Sequence, residues 1–253
     1  MKYPFLRSAV LLLSVLVPSM VQSQSAYEIV KRSEDYLKGK SSKGTFRMTI
    51  QTPDYTRTIE MDSWWVGNDK ALMVITSPRR EAGNKTLKVG NELWMYLRNT
   101  ETTIKVPPSM MLQSWNGSDF TNDDLVRESS IVDDYTMSIA GEETVDRAAT
   151  WKIELRPKHD APIVWDRLLH WIRQQDYLPV KTEYFDEKGA RTRTMVYTDV
   201  RKFGSKRIPA VMKMVNDAKP GHSTTFEYIS IEMDIPISDR VFSFRELERG
   251  KPR

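Results

Sequence analysis

From Thr45 onward, apolar side chains recur at every second residue and rarely at helical spacing. Phe46, Met48 and Ile50 alternate with Arg47, Thr49 and Gln51, and Thr56–Val66 sets Ile59, Met61 and Trp65 against Glu60 and Asp62. A period of two is the mark of a strand with one buried face. The breaks are short: Pro53-Asp54, Gly67-Asn68-Asp69 and Gly90-Asn91. Such turns leave no room for a helical crossover, so neighbouring strands must run antiparallel. The same pattern marks residues 71–76, 87–89, 92–98, 103–106, 136–139, 149–156, 164–173, 178–185, 191–199, 208–215 and 223–232. The reading predicts a mainly β protein with some α, holding about ten or eleven strands. One antiparallel sheet of that size must curl. If it curls without closing, it leaves an apolar hollow suited to a long aliphatic ligand.

Two segments depart from the period of two. Residues 26–37 place Ile29, Val30, Ser33, Tyr36 and Leu37 on one side at helical spacing, with Gly39 just beyond. This predicts a short amphipathic helix with a glycine cap. Residues 107–134 are long, turn-rich and acidic, yet carry Met110, Met111, Leu112, Trp115, Phe120 and Leu125. Connections of this length are uncommon and often functional. Pro108 can open one short helix, and Asp119 or Thr121 can cap a second, with Asp119 the expected start. The segment is expected to be a helical lid. Its apolar side chains must cover something, either a ligand or a core that they seal. The candidate cavity lining is Phe46, Met48, Ile50, Ile59, Met61, Trp65, Leu93 and Met95. Alternation reports burial only, so a closed core is the competing outcome for these residues.

Residues 1–23 begin with Lys2 and Arg7, run apolar from Ala9 to Val17, and end in Val21-Gln22-Ser23. That is the order of a secretory signal peptide, with cleavage expected before Gln24. The expectation is an exported, periplasmic protein whose residues 24–253 form a single domain. The apolar run is too short to span a bilayer. The chain has no Cys, so the fold cannot rest on disulfides, and no lipid can be attached at a cysteine after the cleavage site. Net charge is +4, from 38 basic and 34 acidic residues, and near +2 without Lys2 and Arg7. The basic residues are interspersed with acids, which argues against a nucleic-acid partner. Arg191-Thr192-Arg193 is the densest basic run, and a solvated strand face accounts for it.

The residue patterns of catalysis are sparse. His159, His170 and His222 show no metal-ligand spacing, and neither an HExxH helix nor a G-x-S-x-G elbow occurs. Asp123-Asp124 and Asp133-Asp134 are adjacent pairs, which diverge on any regular element. The expectation is therefore no catalytic residue, no metal and no cofactor. A glycan- or lipid-directed exported enzyme remains as an alternative, because carboxylates can still meet through the fold.

The segment Asn116-Gly117-Ser118-Asp119-Phe120-Thr121-Asn122-Asp123-Asp124-Leu125 resembles the G-S/T-D-F-x-x-x-D-L segment of the LolA-like outer-membrane lipoprotein-sorting family. Leu93-Trp94-Met95-Tyr96-Leu97 is similar to its W-x-Y strand. Leu178-Pro179-Val180-Lys181, with Tyr184-Phe185-Asp186 and Gly189, is similar to its L-P-V-K…Y-x-D-x-x-G hairpin. Ile208-Pro209, Met212 and the run from Ile237 to Ser243 also fit. The resemblance implies an open, incomplete antiparallel β-barrel covered by an N-terminal helix and short lid helices. It implies periplasmic carriage of an acylated lipoprotein or lipid between the membranes. The implied partners are an inner-membrane exporter, of the resistance-nodulation-division type in some members, and an outer-membrane acceptor, with transient membrane contact. Thr102-Thr103-Ile104-Lys105 stands where relatives are often richer in Arg, and no residue here matches the family's gating arginine. A lipid-sensing or regulatory protein on the same fold is the second reading.

Overall fold

The structure, a computed structural model, describes residues 24–127, 131–159 and 164–248. The expected leader lies outside the described residues. The chain starts with α1 (Ala26–Lys38), close to the predicted helix. Ser25 caps it: its Oγ accepts from the Glu28 N–H at 3.2 Å, and the Glu28 carboxylate accepts from the Ser25 N–H at 3.0 Å. Gly39 ends it at φ 63°, a left-handed conformation that costs glycine little.

The strands are β1 (Ser41–Gln51), β2 (Thr56–Val66), β3 (Lys70–Ser77), β4 (Lys85–Val89), β5 (Glu92–Leu97), β6 (Thr102–Lys105), β7 (Tyr135–Val145), β8 (Ala148–Pro157), β9 (Arg167–Arg173), β10 (Pro179–Phe185), β11 (Arg191–Phe203), β12 (Lys206–Asn216) and β13 (Ser223–Met233). They form one sheet in the order β6-β5-β4-β3-β2-β1-β13-β12-β11-β10-β9-β8-β7, every described pairing antiparallel. The count exceeds the predicted ten or eleven: every run of period two named in the sequence, the short β4 and β6 included, pairs as a separate strand. The order is two meanders joined where β1 pairs with β13. The sheet does not close: β6 and β7 are its two edges, and the segment between them contains α2 (Asn122–Arg127) and α3 (Ile131–Asp134).

Three apolar zones occupy the concave face. Beneath the β6–β7 connection, Met48, Ile50, Ile59, Met61, Met73 and Leu93 pack with Trp115, Leu125 and Val126. Beneath α1, Ile29 and Val30 pack on Tyr135, Ile153, Leu155, Leu168 and Ile172. Between them, Phe120, Met195 and Met214 meet Tyr184, Tyr197, Met212 and Phe226. The convex face of β2–β4 is also covered. There Trp64, Leu72, Val74 and Leu87 pack on Phe242 and Leu247, the latter from α4 (Phe244–Glu248). Farther along the convex face, Arg47 bonds Glu60 at 3.0 Å and Glu227 at 3.3 Å across three adjacent strands.

Candidate functional site

A cavity of about 210 Å³ opens between α1 and the β6–β7 connection. That volume is many times the ~10–15 Å³ that one water needs. Its walls come from both meanders: Phe46, Met61 and Trp65 on one side, and Met195, Tyr197, Met212, Phe226 and Tyr228 on the other. Phe120 and Leu125 bound it from the connection, and Glu34, Leu37 and Lys38 from the last turns of α1. Gly67 is exposed, and the half-exposed lining runs from the C-terminal end of α1 and Trp65 across to Phe46, Tyr184, Tyr197, Met212, Phe226, Tyr228 and Ile231. The walls at Met73, Phe120, Leu125 and Met195 are buried.

The eight candidate lining residues divide. Phe46, Met61 and Trp65 line the cavity, with Met61 also part of the sealed zone, whereas Met48, Ile50, Ile59 and Leu93 lie within that zone without reaching the cavity and Met95 packs against it. What separates them is the covering segment, which sits over one end of β1 and β2 and leaves the other end open. Sequence reading missed Tyr184, Met195, Tyr197, Met212, Phe226 and Tyr228. The same alternation was present in β11, β12 and β13 and could have found most of them.

The candidate lid residues divide as well. Met110 and Leu112 are exposed, and Met111 packs partly against the sealed zone. Trp115 is 1% exposed, its Nε1 donates to Thr86 Oγ1 at 3.1 Å, and its ring stacks on Phe226 at 6.2 Å. Phe120 and Leu125 are buried and line the cavity. The cap of α2 is Thr121 and not Asp119. Thr121 Oγ1 accepts from the Asp124 N–H at 3.1 Å, and Asp124 Oδ2 accepts from the Thr121 N–H at 2.7 Å. Asp119 points to the sheet instead, accepting from Thr224 Oγ1 at 2.8 Å and Asn216 Nδ2 at 3.2 Å.

Arg193 does not sit on a solvated face. It is 5% exposed, and its Nη1 and Nη2 donate to the two Asp124 oxygens at 2.7 and 2.9 Å. Nη1 also donates to the Asp119 carbonyl at 3.0 Å, and the guanidinium lies 4.2 Å from the Trp165 ring centre. Burial opposes this charge, but Asp124 outweighs it and holds the guanidinium above its usual pKa. The arrangement fastens the β6–β7 connection to β11.

At the α1 side the cavity wall turns polar. Glu34 and Lys38 form an ion pair one helical turn apart. His170 is buried, with Nδ1 2.6 Å from Thr182 Oγ1. Burial lowers its pKa to about 4, partly offset by Glu34, so the ring is neutral at pH 7. His222 lies in a turn, far along the sequence from the cavity strands of the first meander, and His159 is exposed. No group of acidic and histidine side chains among the described residues has the geometry of a metal site.

An open antiparallel sheet whose concave face holds an apolar cavity beside covering helices defines the LolA-like fold. It is shared with a DUF1329 family protein from Desulfovibrio piger at TM-score 0.81, with 21% identity over 88% of this chain and 97% of that one. A LolA superfamily protein from Nitrosomonas europaea matches at TM-score 0.74 and 19% identity, over 87% and 98% of the two chains. A domain from Vibrio parahaemolyticus named for outer membrane lipoprotein sorting matches at TM-score 0.78 and 21% identity, over 88% and 98%. Residues 67–249 match the model of a family described as uncharacterized protein-like, and the chain belongs to that family. Comparison with curated proteins gives no match.

Proposed function

We propose that the chain is a periplasmic carrier that binds the acyl chains of a lipoprotein or lipid and moves them between inner and outer membrane. The observation that carries this reading is the 210 Å³ cavity, walled largely by aromatic and Met side chains. Met side chains adapt to irregular aliphatic shapes, and aromatic rings provide large apolar faces. Each methylene moved from water into such a wall contributes ~0.8 kcal/mol. An exporter in the inner membrane would supply cargo and an outer-membrane acceptor would receive it, and residues 1–23 would direct export. The fold shared with the sorting-named domain supports the same reading.

The role is carriage without catalysis. His170, the histidine that borders the cavity, is engaged with Thr182 and has no proton to give at neutral pH beyond its single ring N–H. Binding is tested with a fluorescent fatty acid and by native mass spectrometry of protein purified from cells. Saturable uptake and a co-purified acylated species are the expected results. A cavity-blocking substitution, Met212→Trp, should abolish uptake in folded protein. No uptake by the unaltered chain overturns the reading.

A further inference from the structure

Most of the cavity wall is apolar, but one of its lining residues, Ser63, carries a buried hydroxyl without a hydrogen-bond partner among the described residues. Ser63 stands on the concave face of β2, between Met61 and Trp65, and is 1% exposed. A buried hydroxyl left unpaired is costly, and a site that retains one commonly pairs it with a ligand or water.

In the β1–β2 register Ser63 faces Gly44, which presents no side chain toward it. That glycine is required there: a Cβ on it would stand 2.5 Å from the Ser230 carbonyl oxygen. The crowding comes from β13, whose register against β1 shifts between Thr45 and Phe46. One step toward the mouth, Ser42 faces Trp65 and also lines the cavity. One step inward, Phe46 faces Met61, and beyond them the wall is apolar to Phe120 and Met195. From mouth to floor the lining therefore passes from the Glu34–Lys38 pair, through serine hydroxyls, to aromatic and thioether groups.

We infer that Ser63 binds the linkage carbonyl of an acylated ligand, the ester or amide oxygen at the head of an acyl chain. The hydroxyl donates one hydrogen bond to that oxygen, the chain runs inward past Phe46 and Met61, and the remainder of the ligand leaves toward α1. This rests on the carrier reading and narrows its cargo: the site selects acyl esters or amides over plain hydrocarbons.

The experiment compares a medium-chain fatty-acid methyl ester with the n-alkane of equal length. Each displaces a fluorescent fatty-acid reporter from the unaltered chain, from Ser63→Ala, and from the near-isosteric Ser63→Cys. The ester should bind the unaltered chain more tightly than the alkane, after correction for solubility. Both substitutions should weaken the ester about three- to tenfold, the scale of one neutral hydrogen bond, and leave the alkane unchanged. Equal effects on both ligands, or none on either, would show that the hydroxyl serves the protein or a retained water, and would overturn this assignment while leaving the carrier reading intact. Failure of both ligands and the reporter to bind the unaltered chain would overturn both.

Discussion

Replacing Asp124 by Asn should cost far more than replacing its partner, Arg193, by Met. Asp124 accepts three hydrogen bonds, two from Arg193 and one from the Thr121 N–H. The Asn side chain keeps the shape and one acceptor but removes the charge. The guanidinium, 5% exposed, would then be left against the Asp119 carbonyl and two aromatic rings. An uncompensated buried charge of this kind costs ~3–5 kcal/mol. Arg193→Met instead fills the space between Trp165 and Tyr184 with apolar atoms. It leaves a carboxylate whose side chain is 16% exposed and still holds the Thr121 N–H, for a cost of ~1–2 kcal/mol. The double variant should cost less than the sum by at least ~1 kcal/mol. Urea unfolding of the four proteins gives the values, and hydrogen exchange over residues 119–126 reports whether the connection loosens first. Small, equal and additive losses would refute the idea that this ion pair fastens the connection to the sheet.

Two further outcomes follow from burial. Trp115→Ala should destabilise cargo-free protein by ~3–5 kcal/mol, because the ring is in the sealed zone and holds Thr86. A shift in acyl-chain affinity without a fall in the unfolding midpoint would instead make Trp115 part of a movable cover. His170, lowered from 6.5 to about 4 by burial, favours the folded state while neutral. Its contribution is therefore complete above pH 6.5 and is lost as pH falls from there toward 4, by ~3 kcal/mol in all. Unfolding midpoints between pH 7 and 4 should fall less steeply in His170→Gln, and an unchanged slope would remove His170 as the cause.

The sheet was legible because strand periodicity is a local signal, and α1 because its apolar stripe and Gly39 are local too. The cavity was only half legible. Phe46 and Met48 lie on one face of one strand, yet one borders open space and the other a sealed core. The difference is whether the β6–β7 connection passes over them, which a period of two does not encode. Asp119 was misread for a related reason. Its partners Asn216 and Thr224 are 97 and 105 residues away, while the competing Thr121–Asp124 box is a short-range pattern. Arg193 looked like its neighbour Arg191, which is half exposed and paired with Asp217. Only tertiary packing places one of the two beneath Trp165.

The seam between β1 and β13 sets the order in which this chain can fold. Each meander is built from hairpins that close locally, but Arg47 and Glu227 meet across 180 residues. Contacts of such long range are entropically expensive and slow. The first meander must therefore wait with β1 as a bare edge until β13 has been made. Bare edges invite pairing with other chains, and charge on the edge discourages it. β1 carries Lys43 and Arg47 on its convex face, and Arg47 finds its second carboxylate only when Glu227 arrives. The same arginine that ties three strands in the finished sheet thus puts a charge on the edge that β13 comes to cover.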